Sequence, residues 1–91
     1  MRKEACMGKH SVGVIAIMVK KRAATAPLVN QILTEFGDIV VGRMGLPHHK
    51  ADMNIITLIV DASTDQIGAL TGKLGMLKDV TVKSTLAKVD K

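Results

Sequence analysis

Apolar positions along this chain change period in an order that occurs twice. From Ser11 to Val19 the residues read as a strand with two apolar faces, Val12, Val14, Ala16 and Met18 on one side and Ile15, Ile17 and Val19 on the other. The period then becomes helical. Leu28, Val29, Ile32, Leu33 and Phe36 form one stripe, in a helix expected to follow Thr25 or Ala26 with Pro27 in its first turn, where the missing N–H costs nothing. Gly37 stands where a left-handed C-cap is expected. A second strand runs from Asp38 to Met44, and Gly45-Leu46-Pro47-His48-His49-Lys50 reads as a turn-rich connection. A third strand, Met53 to Val60, is again apolar on both sides, with Ile55, Thr57 and Ile59 opposite Ile56, Leu58 and Val60. Ser63 followed by Gln66 is a capping-box signature for a helix from about Thr64 to Leu74 with the stripe Ile67, Leu70, Leu74. Gly68 and Gly72 inside it suggest close backbone approach, and Gly75 a C-cap. The last strand, Val80 to Leu86, sets Val80, Val82, Ser84 and Leu86 against Thr81, Lys83 and Thr85.

Residues 11–46 and 53–89 thus repeat one unit, and Asp38-Ile39-Val40-Val41-Gly42-Arg43 answers Asp79-Val80-Thr81-Val82-Lys83-Ser84. The first-to-second-strand offset is 27 residues in one half (39 − 12) and 25 in the other (80 − 55). Two such units in tandem give β-α-β-β-α-β, the α+β ferredoxin-like sandwich of a four-stranded antiparallel sheet with two helices on one face. Residues 11–89 then form one domain after a flexible lead-in, residues 1–10. The doubly apolar first and third strands belong at the centre and the charge-bearing second and fourth at the edges. Two helices cover only one sheet face. Either the Ile15–Ile17–Val19 set or the Val14–Ala16–Met18 set therefore lacks a cover within the chain, and a second copy is the simplest one, so a homo-oligomer, dimer or tetramer, through the sheet surface is expected.

Composition narrows the class. Ninety-one residues make one small domain with a marginal core, which again favours oligomerisation. A hydrophobic fraction of 47% excludes a disordered chain. The single cysteine, Cys6, excludes an internal disulfide, Arg2-Lys3-Glu4 leads into no apolar signal segment, and the run Val12 to Val19 is too short to span a bilayer. A cytoplasmic protein without membrane contact is expected. The net charge of +5, densest at Lys20-Lys21-Arg22, suits anionic partners but selects none.

Candidate chemistry is sparse. His10, His48, His49, Cys6 and Asp52 are the potential metal ligands, yet no set has the spacing of a zinc motif, so no metal or other cofactor is expected. No nucleophile accompanies the histidines, and Arg22 with Asn54 lacks the glycine-rich phosphate cradle of an acylphosphatase, which argues against an enzyme. RNA recognition on such a sheet uses aromatics of the central strands. The only aromatic here is Phe36, on a helix, so direct nucleic-acid binding is not expected. Arg22, Asn30 and Arg43, with Gly42 and Gly45, remain as groups that could converge beside the first helix and suit a carboxylate or phosphate. The competing reading has Arg22 and Arg43 paired with Glu35, Asp38 or Asp61 at the surface.

The stretches Lys21-Arg22, Ala26 to Leu33, Gly37-Asp38-Ile39, Gly42 to Pro47, Asn54 to Asp61, Thr64 to Gly75 and Val80 to Ser84 together resemble the small regulators of the iron-only hydrogenase system. That family is similar to the ACT-like effector domain of the nickel-responsive repressor without its ribbon-helix-helix DNA reader. The resemblance implies an ACT-like oligomer that binds a small anionic or amino-acid-like effector in regulation of a hydrogenase system, transcriptionally or post-translationally. A ligand-free scaffold for a hydrogenase maturation protein is the alternative. It carries over no nickel site, because Val41 and Arg43 stand on the second strand and Met53-Asn54 at the start of the third, where the repressor has histidines and a cysteine.

Overall fold

The computed structural model describes residues 10–48 and 52–88. The elements follow as β1 (His10–Lys20), α1 (Arg22–Glu35), a short 3-10 turn (Gly37–Ile39), β2 (Val40–His48), β3 (Met53–Ser63), α2 (Thr64–Gly75) and β4 (Val80–Lys88). The sheet order is β2-β3-β1-β4 with every neighbouring pair antiparallel, so the doubly apolar strands are central. The expected four-stranded α+β sandwich is therefore present. Of the expected lead-in, residues 1–9, with Cys6, lie outside the described residues, as do His49, Lys50 and the His48 side chain; His10 belongs to β1, where it pairs with Ser63.

Both helices lie on the side of Ile15, Ile17 and Val19. These side chains pack with Ile56, Leu58 and Val60 of β3 against Val29 and Leu33 of α1 and Ile67, Leu70 and Leu74 of α2. Burial of such side chains contributes about 1.5–3 kcal/mol each, so this layer carries most of the fold's stability. Strand alternation sends Val12, Val14, Ala16 and Met18 to the opposite face. Register adds Ile55, Thr57 and Ile59 from β3 and Gly42, Met44 and Leu46 from β2 to that face. Neither described helix lies on it.

Several boundaries differ from those the periodicity suggests. Helix α1 begins at Arg22, a turn early, after Lys21 in the left-handed region at φ 51°. The Ala-rich opening and the buried Thr25 draw that turn into the helix, placing Pro27 in the interior, where Ala23 loses its usual donor. No side chain caps this terminus, whereas the Ser63–Gln66 capping box of α2 is complete. Leu28 belongs to the surface, at 49% exposure, and not to the buried stripe. Among the described residues no glycine has positive φ, so Gly37 and Gly75 are not left-handed caps. Phe36 closes α1 with its N–H on the Ile32 carbonyl, and Met76 in a right-handed conformation closes α2.

A Cβ at Gly68 or Gly72 meets nothing within 4 Å, so these glycines face solvent and serve no close approach. The glycine that does is Gly13, where a Cβ would lie 2.2 Å from Leu86 Cδ2 and 3.1 Å from the Thr85 carbonyl oxygen. The 3-10 turn removes Asp38 and Ile39 from β2, which then carries a bulge between Val40 and Gly42. At its far end β2 runs on through Gly45, Leu46 and Pro47, which pair with Ile56, Ile55 and Asn54. Long β3 supplies backbone partners there, and these outweigh the turn preference of glycine and proline.

Candidate functional site

The corner between α1 and edge strand β2 is where the candidate ligand residues meet. Arg43 and Gly45 pair with Leu58 and Ile56, whose side chains point under the helices, so both face α1. Asn30, two turns into α1, accepts a hydrogen bond from Arg43 Nη2 through Oδ1 at 2.7 Å. At Gly45 an added Cβ would find only Ile56 Cγ1, at 4.0 Å, leaving the space beside the guanidinium open. Gly42 does not join them. It pairs with Ile59 on the uncovered face, as alternation from Arg43 requires. Arg22 is the first residue of α1, about 12 Å of helix rise from Asn30; its side chain lies outside the description.

The charge of Arg43 is not neutralised by a carboxylate among the described residues. Of the acids that could have paired with it, Glu35 accepts from Lys73 Nζ at 3.1 Å, and Asp61 lies 3.0 Å from His10 Nδ1. An amide oxygen fixes the guanidinium's position without cancelling its charge, and one hydrogen bond leaves further donors of the fork available. The Asn30–Arg43 corner can thus present a positioned cation to a planar anion.

Two other features were not foreseen from sequence. His10 and Asp61 bridge β1 and β3 at one end of the uncovered face, which follows from the register His10–Ser63 and Val12–Asp61. Lys73 both pairs with Glu35 and lies 5.7 Å from the centroid of the Phe36 ring, tying the ends of the two helices together. Among the described residues no group of three His, Cys, Asp or Glu side chains could hold a metal ion, and Asp52 has a partner of its own. No helix described is long and apolar enough to cross a membrane.

A ferredoxin-like sheet with one bare face and an arginine-bearing corner defines the class, a small α+β module of four strands and two helices. The particular family follows from comparison with known proteins: residues 11–84 match the TM1266-like family, described as "Iron-only hydrogenase system regulator, putative", and the chain belongs to it. Among solved structures, TM1266 from Thermotoga maritima superposes with a TM-score of 0.82 at 34% identity, covering 85% of this chain and 96% of that one. The apo form of CPII from Thiomonas intermedia K12, a nitrogen regulatory PII-like protein, has a TM-score of 0.57 at 15% identity over 87% of this chain and 91% of its own. CPII bound to ADP, AMP and acetate gives 0.53 at 16% identity over 93% and 94%. The CPII likeness is one of fold. No curated protein matches.

Proposed function

We propose that this chain is a regulatory, effector-binding module of an iron-only hydrogenase system, working in the cytoplasm as a homo-oligomer and by binding, not by catalysis. The observation that carries the reading is Arg43, held by neutral Asn30 at 2.7 Å with no carboxylate among the described residues to cancel its charge. Such a guanidinium suits a small anionic or amino-acid-like effector, held as carboxylate or phosphate in the α1–β2 corner with Gly45 giving room. Arg22 is the further cation offered by the neighbouring helix start. Membership of a regulator family supports the regulatory half, and CPII, on the same fold, has been seen with ADP, AMP and acetate.

The bare sheet face supports the oligomeric half. Val12, Val14, Met18, Met44, Leu46 and Ile59 lie on it at 39–66% exposure, with Lys83 opposite Ala16 on its β4 side, and exposed apolar groups gathered on one face mark an association surface. The same face is what would serve the second reading, a scaffold for a maturation protein that binds no ligand.

Thermal shift across acetate, phosphate, amino acids and nucleotides separates the two. A ligand at 100 times its Kd stabilises by about 2.7 kcal/mol, and Arg43→Gln should abolish that gain while leaving the unliganded transition within a few degrees. A panel with no responder, or a response that Arg43→Gln leaves intact, would discard the effector site.

A further inference from the structure

We propose that the surface formed by the β1–α1 and α2–β4 connections docks an acidic segment of a partner protein, one that carries an apolar side chain among its carboxylates. Three lysines meet there around one acid. Lys20 N–H donates to the Asp79 carbonyl at 2.8 Å, Lys21 Nζ lies 4.0 Å from Asp79 Oδ2, and Lys78 precedes Asp79 in the chain. All three lysines are exposed, with 69% of the Lys21 side chain open to solvent. Helix α1 starts beside them and has no acid in its first turn. The described ion pairs are His10–Asp61, Lys21–Asp79 and Lys73–Glu35. Asp79 thus answers one lysine at the limit of ion-pair distance, and Lys20 and Lys78 remain without a countercharge among the described residues.

Lysines alone are the ordinary solvated surface of a protein. What marks this place is the side chain beside them. Met76 is 86% exposed, the most open of the large apolar side chains described. The loop after α2 holds it out. Leu77 packs on the core with its N–H on the Leu74 carbonyl at 3.2 Å, and Met76 and Lys78 on either side of it are exposed. Met76 and Lys78 are two residues apart, so their Cα atoms lie no more than about 7 Å from each other. Met76 belongs to no strand, so association through the sheet does not account for it. A polarisable, flexible thioether adapts to an apolar side chain of a partner, while the lysines meet the carboxylates around that side chain and set the orientation.

The same grouping disfavours a nucleic acid or a lipid surface. The Asp79 carboxylate, its side chain 24% exposed, stands among the lysines where a phosphate backbone would lie, and none of these residues is an aromatic on which a base could stack. A lipid surface is held by a broad apolar face, of which one thioether is a small part.

Fluorescence anisotropy with the full-length protein and a labelled synthetic peptide of glutamates around a central pair of leucines tests the surface. The peptide should bind saturably, and more weakly as sodium chloride is raised, because the cations are exposed. Lys21→Asn/Lys78→Gln should weaken binding about tenfold or more; asparagine suits the φ of 51° at position 21. Lys83→Gln/Lys88→Gln removes the same charge from β4 and should leave the affinity within about twofold. Met76→Ser, which changes only an exposed side chain, should weaken the leucine peptide several-fold and leave a peptide with serines in place of leucines unaffected. Circular dichroism confirms the fold of each variant. Absence of saturable binding, or an equal loss in the two lysine variants, overturns the docking surface, and a Met76→Ser protein that binds both peptides as before overturns the apolar contact. Tighter binding of duplex DNA or of phosphatidylserine vesicles at the same salt, lost in Lys21→Asn/Lys78→Gln, gives the surface to a nucleic acid or a membrane and overturns the protein partner. Arg22 and Arg43 are untouched in every variant, so the thermal-shift panel scores the effector corner separately.

Discussion

Thr57→Lys should break the proposed face-to-face association without unfolding the protein. Thr57 sits at the middle of the uncovered face, paired with Ala16 on one side and Met44 on the other. Around it six apolar side chains are 39–66% exposed. Full burial of such a side chain yields about 1.5–3 kcal/mol, so covering the exposed half yields about 0.7–1.5 each, or roughly 8–18 kcal/mol gross for two copies. Loss of rotational and translational freedom removes about 4–15 kcal/mol. The remainder allows a micromolar or tighter complex, which needs about 8 kcal/mol, only where packing is good. A lysine at the centre brings two ammonium groups into the interface, with an effective desolvation cost of several kcal/mol each. That exceeds the margin. The neighbouring Leu58→Lys makes the contrast, because Leu58 is fully buried beneath the helices and its charge has no exit short of unfolding. Light scattering across a concentration series, with circular dichroism for folding, reads both. Thr57→Lys should lower the mass and keep the spectrum; Leu58→Lys should lose the spectrum. A Thr57→Lys protein of unchanged mass would refute the use of this face.

Gly13→Ala should destabilise by about 1 kcal/mol, the low end for overpacking, since its Cβ would lie 2.2 Å from Leu86 Cδ2, the tip of a 41%-exposed side chain that can turn outward, and Leu86→Ala in the same chain should recover most of the loss in a thermal-melt cycle. Gly68→Ala and Gly72→Ala should each raise stability by about 0.5–1 kcal/mol, as nothing lies within 4 Å of either added carbon, and denaturant midpoints will show whether they add. Ser11 Oγ is buried without a hydrogen-bond partner among the described residues. Leaving such a group unsatisfied costs about 1–3 kcal/mol, so Ser11→Ala should raise the melting temperature; a fall would mean the hydroxyl has a partner in solution.

The pattern of periods made the fold legible because each element's signal was local. Ser63 and Gln66 lie within one turn, and the runs Ile15 to Val19 and Ile55 to Val60 announce central strands wherever the rest of the chain goes. Which face of β1 the helices cover was not legible, since Ile15–Ile17–Val19 and Val14–Ala16–Met18 are both apolar and the choice depends on crossover direction. The start of α1 was missed for a related reason. Lys21 takes a left-handed conformation uncommon for its type, imposed where β1 must turn back over the sheet, and Lys20 N–H reaches the Asp79 carbonyl across the strand ends at 2.8 Å. The Gly45–Pro47 segment reads as a turn locally and becomes strand only because β3 offers partners 7 to 11 residues later in register.

The candidate site divides along the same line. Arg43 and Asn30 are far enough apart in sequence that only their residue types suggested a meeting, and the meeting depends on β2 lying next to α1 across the edge of β3. Gly42, by contrast, could have been set aside from sequence, since neighbours on a strand face opposite ways. The parity that removes it from the arginine corner places it on the bare face with Met44 and Leu46. A single short strand therefore serves two surfaces: odd positions Arg43 and Gly45 present a cation beside α1, and even positions Gly42, Met44 and Leu46 extend the apolar face. On the proposed reading, an anion at Arg43 and a second copy on the sheet would both bear on this strand, which gives the two sites a shared element through which they could be coupled.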